Sequence, residues 1–171
     1  MLVELYTEEH RRLVHQLRDE AEQWLADRGI DQYQVGPRAA AAHDAIDTAF
    51  DHGEFYGWQV GDRIVAVAAL TSADKDFWTT EEAAQAAVYL ARFMTAEHGQ
   101  GYGAALLEAL AEYARHAGYD RIRLDCWKSN TALQAYYLCR GFRHIRTIDV
   151  PGRMSGALFE RQLEYPVPQK H

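Results

Sequence analysis

Residues 99–103 read Gly99-Gln100-Gly101-Tyr102-Gly103, and what flanks them decides the fold. Upstream lies an apolar, strand-like run, Ala86-Ala87-Val88-Tyr89-Leu90-Ala91-Arg92-Phe93-Met94. Downstream, Leu106, Leu107, Leu110, Ala111 and Ala114 recur at helical spacing. A strand that feeds a glycine-rich turn and then a helix start makes an anion site. The first turn of a helix has four backbone N–H groups with no internal partner, and its dipole favours negative charge. Glycines let that backbone approach a phosphate closely. A phosphorylated ligand is therefore expected at this turn; the alternative is a tight strand-to-helix turn with no ligand.

Working outward, the second half of the chain alternates. The strand at 86–94 leads to a helix over 101–116 that Gly118 ends. A strand at 121–127 leads to a helix over 130–140 that Gly141 ends. Residues 142–150 and 157–163 are strand-like and flank a Pro151-Gly152 turn. Such a β-α-β-α-β run implies parallel strands in its middle and right-handed crossovers. In the first half, residues 2–6 read as a strand, and Thr7 is placed to cap a helix that carries Leu13, Val14, Leu17, Ala21, Trp24 and Leu25 on one face. A second helix is expected over 38–51, with Pro37 and the Ala39–Ala42 run at its start. Phe55–Val60 and Arg63–Leu70 flank Gly61-Asp62, a hairpin signal. The polar segment 72–84 reads as a loop with one helical turn after Thr79, where Thr79 and Glu82 have capping-box spacing. One domain over 1–165 is expected, with a frayed tail at 166–171.

Composition narrows the partners. With 48% hydrophobic and 25% charged residues in 171, the chain reads as an ordinary globular domain. A net charge of −7 argues against nucleic acid and against an anionic membrane surface. The N-terminus carries no signal-peptide pattern, and two cysteines without a close metal-type spacing suit a cytoplasmic protein. Cys126 and Cys139 read as small buried apolar residues. The eight histidines show no tight ligand spacing, so no metal is expected.

Three phosphate loops compete for the turn. A Walker loop needs a Gly-Lys-Ser/Thr ending, where Tyr102-Gly103-Ala104 stands. A dinucleotide fingerprint needs a glycine where Leu106 stands, and it belongs in the first β-α unit of a domain. The pyrophosphate of coenzyme A is left. Here the chain resembles a known family. His98-Gly99-Gln100-Gly101-Tyr102-Gly103 is similar to the Gln/Arg-x-x-Gly-x-Gly/Ala signature of the GNAT N-acetyltransferases, with His98 in place of the opening Gln or Arg. A second block also matches: Leu124-Asp125-Cys126-Trp127-Lys128-Ser129-Asn130, then Ala132, Tyr136-Tyr137 and Gly141-Phe142. The likeness is specific over 86–144 and only topological before it.

The resemblance implies a single α/β domain: a mixed central sheet flanked by about four helices and splayed between two parallel central strands. It implies acetyl-CoA as cofactor, with His98 to Ala104 at its phosphates. The pantetheine arm would then lie along the backbone near Phe93 and Met94, with Asn130 touching that arm. It further implies direct attack of a primary amine on the thioester, without a covalent enzyme intermediate. Tyr137, seven residues after Asn130 and four before Gly141, would protonate the departing sulfur; alternatively it packs against the sheet. Tyr136 points about 100° away on the helix and reads as packing. Asn130 is also a helix cap. Asp125 shares a strand face with Trp127 and is placed either to accept the amine's proton or to pair with an arginine. Phe77 and Trp78, in a polar loop, and Tyr56 and Trp58, on the hairpin, are candidate walls of an acceptor pocket. The expected acceptor is a small-molecule amine. A module that holds an acyl-CoA without turnover and a protein N-acetyltransferase are the alternatives, and a homodimer is compatible with either.

Overall fold

A computed structural model describes residues 1–33 and 41–164. The expected start of the second helix at 37–39, the end of the 1–165 domain and the tail at 166–171 lie outside the described residues. The chain runs β1 (Leu2–Glu4), α1 (Glu8–Ala26), α2 (Ala42–Asp51), β2 (Phe55–Val60), β3 (Arg63–Thr71), α3 (Thr80–Ala83), β4 (Ala87–Thr95), α4 (Tyr102–His116), β5 (Arg121–Trp127), α5 (Thr131–Leu138), β6 (Arg143–Thr147) and β7 (Ser155–Gln162). Local chemistry sets the helix starts. Thr7 accepts from the His10 amide at 3.1 Å, and Thr79 accepts from the Glu82 amide at 3.1 Å. In both cases the third helical residue reaches back to the cap, closing a capping box.

The strands form one seven-stranded mixed sheet in the order β1-β2-β3-β4-β5-β7-β6. One face carries α4, whose Leu106, Leu107, Leu110 and Ala114 pack against Val88, Leu90, Ile122, Leu124 and Phe159. The other face carries α1 and α2, where Val14, Leu17, Ile46 and Phe50 meet Phe55, Val67 and Met94. No helix among the described residues is long and apolar enough to cross a membrane.

Two differences from the sequence expectation concern the C-terminal strands. The strand after α5 does not join β5; β7 inserts between them, antiparallel to both. The β6 strand also stops at Thr147, because residues 148–154 turn the chain back, with the Ile148 amide donating to the Gly156 carbonyl at 2.9 Å. Hairpin partners pair without a long crossover, so β7 takes the edge that alternation alone assigns to β6.

The β4–β5 contact positions the site. These strands are parallel but pair only at Ala87–Tyr89 with Arg121–Arg123. Beyond Tyr89 they part. Register shifts flank the gap: in β4, Ala91 and Met94 pair with Ala69 and Val67, leaving Arg92 and Phe93 opposite Ala68. In β5 a second shift falls between Cys126 and Trp127. A bulge bends its strand and increases its twist. Arg92 takes φ +51, a left-handed conformation that costs a non-glycine residue roughly 1–2 kcal/mol.

Candidate active site

The glycine turn closes one end of the gap. Gly101 takes φ 76 and caps α4 through its backbone alone, with no side-chain cap. The first intrahelical bond reaches the Ala105 amide, so the amides of Tyr102, Gly103 and Ala104 face outward without helical partners. Gly103 is where close approach matters. A Cβ there would stand 3.2 Å from Phe93 Cζ, Thr95 Cγ2 and Tyr136 Oη. Gly103→Val is therefore expected to destabilise the fold by about 1–3 kcal/mol through overpacking. Because the added methyls enter the cleft, coenzyme affinity should fall at least tenfold, read by calorimetry beside a urea melt.

A cleft of about 560 Å³ runs from this turn along β4. Phe93, Met94, His98, Gly99, Gly101, Tyr102, Gly103, Ala104 and Asn130 line it, so most of the residues expected around a coenzyme share one cavity. Gln100 is exposed and outside the lining. His98 stacks on Trp24 with ring centroids 4.0 Å apart, and the Arg28 guanidinium lies 3.8 Å from the centroid of the same Trp24 ring. Burial and Arg28 hold the His98 imidazole below its ordinary pKa, so at neutral pH it brings no full charge to an anion. Arg140 lines the same cleft and stacks on Tyr136 at 3.6 Å. It is the cation beside the turn that motif reading did not single out.

Asn130 does cap α5, accepting from the Leu133 amide at 3.1 Å. Its amide nitrogen donates to the buried Gln32 at 2.6 Å. Asp31 accepts from Trp127 Nε1 at 3.0 Å and from Ser129 Oγ at 2.7 Å, bonds that hold its carboxyl below the usual range. Residues 31–33, which carry no motif, are thus tied across the end of β5.

Tyr137 lies beneath these linings. It is buried, lines neither cleft and donates no hydrogen bond to another described residue. Its ring packs against Phe142 at 5.4 Å, Tyr136 at 5.5 Å and Phe93 at 6.5 Å. Burial raises its phenol well above the ordinary value, and Cys126, Tyr33, Tyr136 and Asp125 add to the shift. The phenol consequently keeps its proton throughout the neutral range. Tyr136, read as packing, lines the coenzyme cleft. Cys126 is buried and its thiol pushed up by desolvation, whereas Cys139 is exposed, contrary to expectation, on the outer side of the α5 end.

A second cleft, of about 630 Å³, opens between α2, β4, β5 and the start of β7. Asp125 lines it without forming an ion pair to another described residue. Desolvation raises the Asp125 carboxyl, against a lowering hydrogen bond from Ser155 and the charge of Arg153. Trp78 contributes a wall, but the other expected aromatics do not. Phe77 is buried under the Arg153 guanidinium, which sits 4.3 Å from its ring. Tyr56 and Trp58 belong to the α4 face of the sheet, and the Tyr56 hydroxyl donates to Tyr113. Strand alternation puts them on the side opposite the cleft. A chamber of about 190 Å³ borders both clefts; it shares Gln32 and Met94 with the first, Asp125 and Trp127 with the second, and Tyr33 with both.

Comparison with known proteins agrees with this architecture. Residues 18–142 match the acetyltransferase (GNAT) family. An uncharacterized N-acetyltransferase of Bacillus subtilis, YesJ, is 28% identical over 126 residues, covering 70% of this chain and 69% of that protein. A GNAT-family acetyltransferase structure from Listeria monocytogenes superposes with a TM-score of 0.69 at 21% identity, covering 95% of this chain and 94% of the other. The N-acetylglutamate synthase of Neisseria gonorrhoeae, solved with coenzyme A and N-acetyl-glutamate, gives 0.63 at 17% identity, over 96% of this chain and 35% of that one. The matched segment begins in α1 and ends just past α5, and so spans the parted strands and the glycine turn between them: this chain belongs to the GNAT family of acetyltransferases, and acetyl transfer is its chemistry.

Proposed function

We propose that the chain moves the acetyl group of acetyl-CoA onto a primary amine of a small molecule by direct attack. One observation carries this reading: two clefts beside the parted β4 and β5 strands share wall residues with one small chamber lined by Asp125. That layout can bring two reactants together, and holding them in attack geometry can remove up to roughly 7–11 kcal/mol of barrier. The coenzyme-bound complex of a fold relative supports coenzyme A in the first cleft. When bound, it supplies the acetyl group as a thioester. The residues present suit it: outward amides at the start of α4, a glycine where a side chain would crowd the cleft, and Arg140 alongside.

The chain's own groups then divide the proton work. Beyond Tyr89 the β4 edge facing β5 has no ladder partner among the described residues, so its backbone is available to an extended arm. Asp125 takes the proton of the attacking amine, directly or through water. Tyr137, protonated at neutral pH, returns a proton to the leaving sulfur.

Thiol release from acetyl-CoA over a panel of amine classes tests the proposal. Tight coenzyme binding with no thiol released for any amine overturns it. The base role has its own signature. Asp125 acts deprotonated and its pKa lies above the ordinary carboxylate value. The rate should therefore fall as pH drops through that raised value, earlier than for an unperturbed carboxylate. Asp125→Asn is expected to lower kcat/KM about 10²-fold and to remove that acid limb. A pH profile that keeps the limb in the variant assigns the base elsewhere.

A further inference from the structure

The second cleft holds positive charge that the fold itself answers only in part. The chain pairs most of its arginines tightly: Arg161 forks onto Glu108 at 2.7 and 2.8 Å, Arg146 onto Glu82 at 2.7 Å through both nitrogens, and Arg153 onto Asp74 and Asp76 at 2.6 Å each. Arg92 and Arg18 do not follow this pattern. Both line the acceptor cleft and the small chamber. The Arg92 guanidinium is half-buried and makes no hydrogen bond or ion pair with any described residue. Arg18 is buried, with 9% of its surface exposed, and its Nε has no hydrogen-bond partner. The Glu22 carboxylate stands 3.7 Å from that atom, beyond hydrogen-bonding distance. The flat face of Arg18 lies 3.7 Å from the Tyr33 ring, which leaves its N–H edge for another partner.

A guanidinium does not lose its charge in a protein, and a buried charge is costly unless paired. Arg92 is held down from its ordinary pKa by desolvation and by its neighbour Arg18, while Glu54 and Asp125 act in the opposite sense. Arg92 is also the one residue of β4 with positive φ, it falls where the β3–β4 register shifts, and its side chain lines the cleft. Strain kept at a cavity wall is a mark of function. The carboxyls of Asp125 and Glu54 line the same cleft. The cavity thus offers Arg92 without an ion pair among the described residues, Arg18 with an Nε lacking a hydrogen bond, and two carboxyls on the same lining.

We propose that the acceptor is an amino acid-type molecule, an amine that also bears a carboxylate, held with its carboxylate against Arg92 and Arg18 and its amine toward Asp125. Guanidinium groups match a carboxylate in planar, often bidentate fashion. The inference rests on the acetyl-transfer reading and narrows its substrate. It also disfavours a protein N-terminus, whose amine carries no nearby carboxylate.

The test compares standard α-amino acids, each beside its own α-carboxamide, in thiol release from acetyl-CoA and in calorimetric binding to the protein loaded with coenzyme A. The amides hold a more readily deprotonated amine, so any preference for the acid reports the cations. For at least one pair the acid should exceed the amide on the order of 10²-fold in kcat/KM. Arg92→Asn, which tolerates the left-handed backbone, should abolish that preference mainly through KM. Arg18→Met should reduce it from a different element of the fold. Amides used as well as their acids overturn the anion subsite and leave acetyl transfer standing. Acids that bind in preference to amides, in an Arg92-dependent way, without thiol release for any amine sustain the subsite and overturn the transfer reading. Acids with neither preferential turnover nor preferential binding overturn the subsite.

Discussion

Replacing Tyr137 by Phe is expected to lower kcat about 10³-fold while leaving coenzyme affinity within a factor of two or three. The substitution removes one oxygen from a ring whose packing against Phe142, Tyr136 and Phe93 it leaves intact. Its hydroxyl serves no other described residue, so the fold loses no hydrogen bond and the melting temperature should hold. A 10³-fold change corresponds to about 4 kcal/mol of barrier, within what a positioned general acid supplies. Tyr136→Phe is the matched control. Its hydroxyl stands at the cleft wall beside Gly103. Its loss should raise the KM for coenzyme several-fold and spare kcat. If the two variants exchange these effects, the acid is Tyr136; if Tyr137→Phe keeps full turnover, the acid role for Tyr137 is wrong.

The second large effect concerns stability. Glu160→Ala is expected to destabilise the chain by about 3–5 kcal/mol. Glu160 is 6% exposed and Arg123 2% exposed, and they pair across the β5–β7 ladder with Nε to Oε2 at 2.9 Å. Arg123 also donates to the Glu82 carbonyl at 2.8 Å and to the Tyr89 hydroxyl at 3.0 Å, and to Gln85, and it lies over Trp78. Deleting the carboxylate strands a guanidinium that cannot discharge itself in a dry site. A urea melt should show the midpoint falling with an unchanged slope. Replacing both partners with Met should recover much of the loss, because two apolar groups leave no orphaned charge. The pair sits where β4 and β5 still touch, so it anchors the closed end of the gap between them. A Glu160→Ala variant as stable as the parent would show that Arg121, 3.7 Å from Glu160, and its neighbours carry the strand junction without it.

Much of the fold was legible because short-range physics wrote it into the chain. Thr7 and Thr79 have few better uses than capping, and both cap. The glycines at 99, 101 and 103 meet the start of a helix whose apolar face repeats in the next fifteen residues, and α4 begins there. The aromatic residues misled for an equally physical reason. Phe77 lies in a polar loop, yet an arginine on its ring and a place in a small core under the sheet bury it. Tyr56 and Trp58 sit on a strand whose buried face is set by what packs against it, and that helix, with Tyr113, is far away in sequence.

What the sequence determined by itself was the series of strands and helices, the anion-ready turn and the family to which these motifs point. All of these depend on neighbours within a few residues. Tertiary structure alone decided where β4 and β5 separate, that Asp31 and Gln32 are tied to the end of β5 and the start of α5, and that Arg18 and Arg92 line one cavity. Those facts depend on pairs drawn together from opposite ends of the chain, and no periodicity in the sequence records which distant charges will come to share a wall.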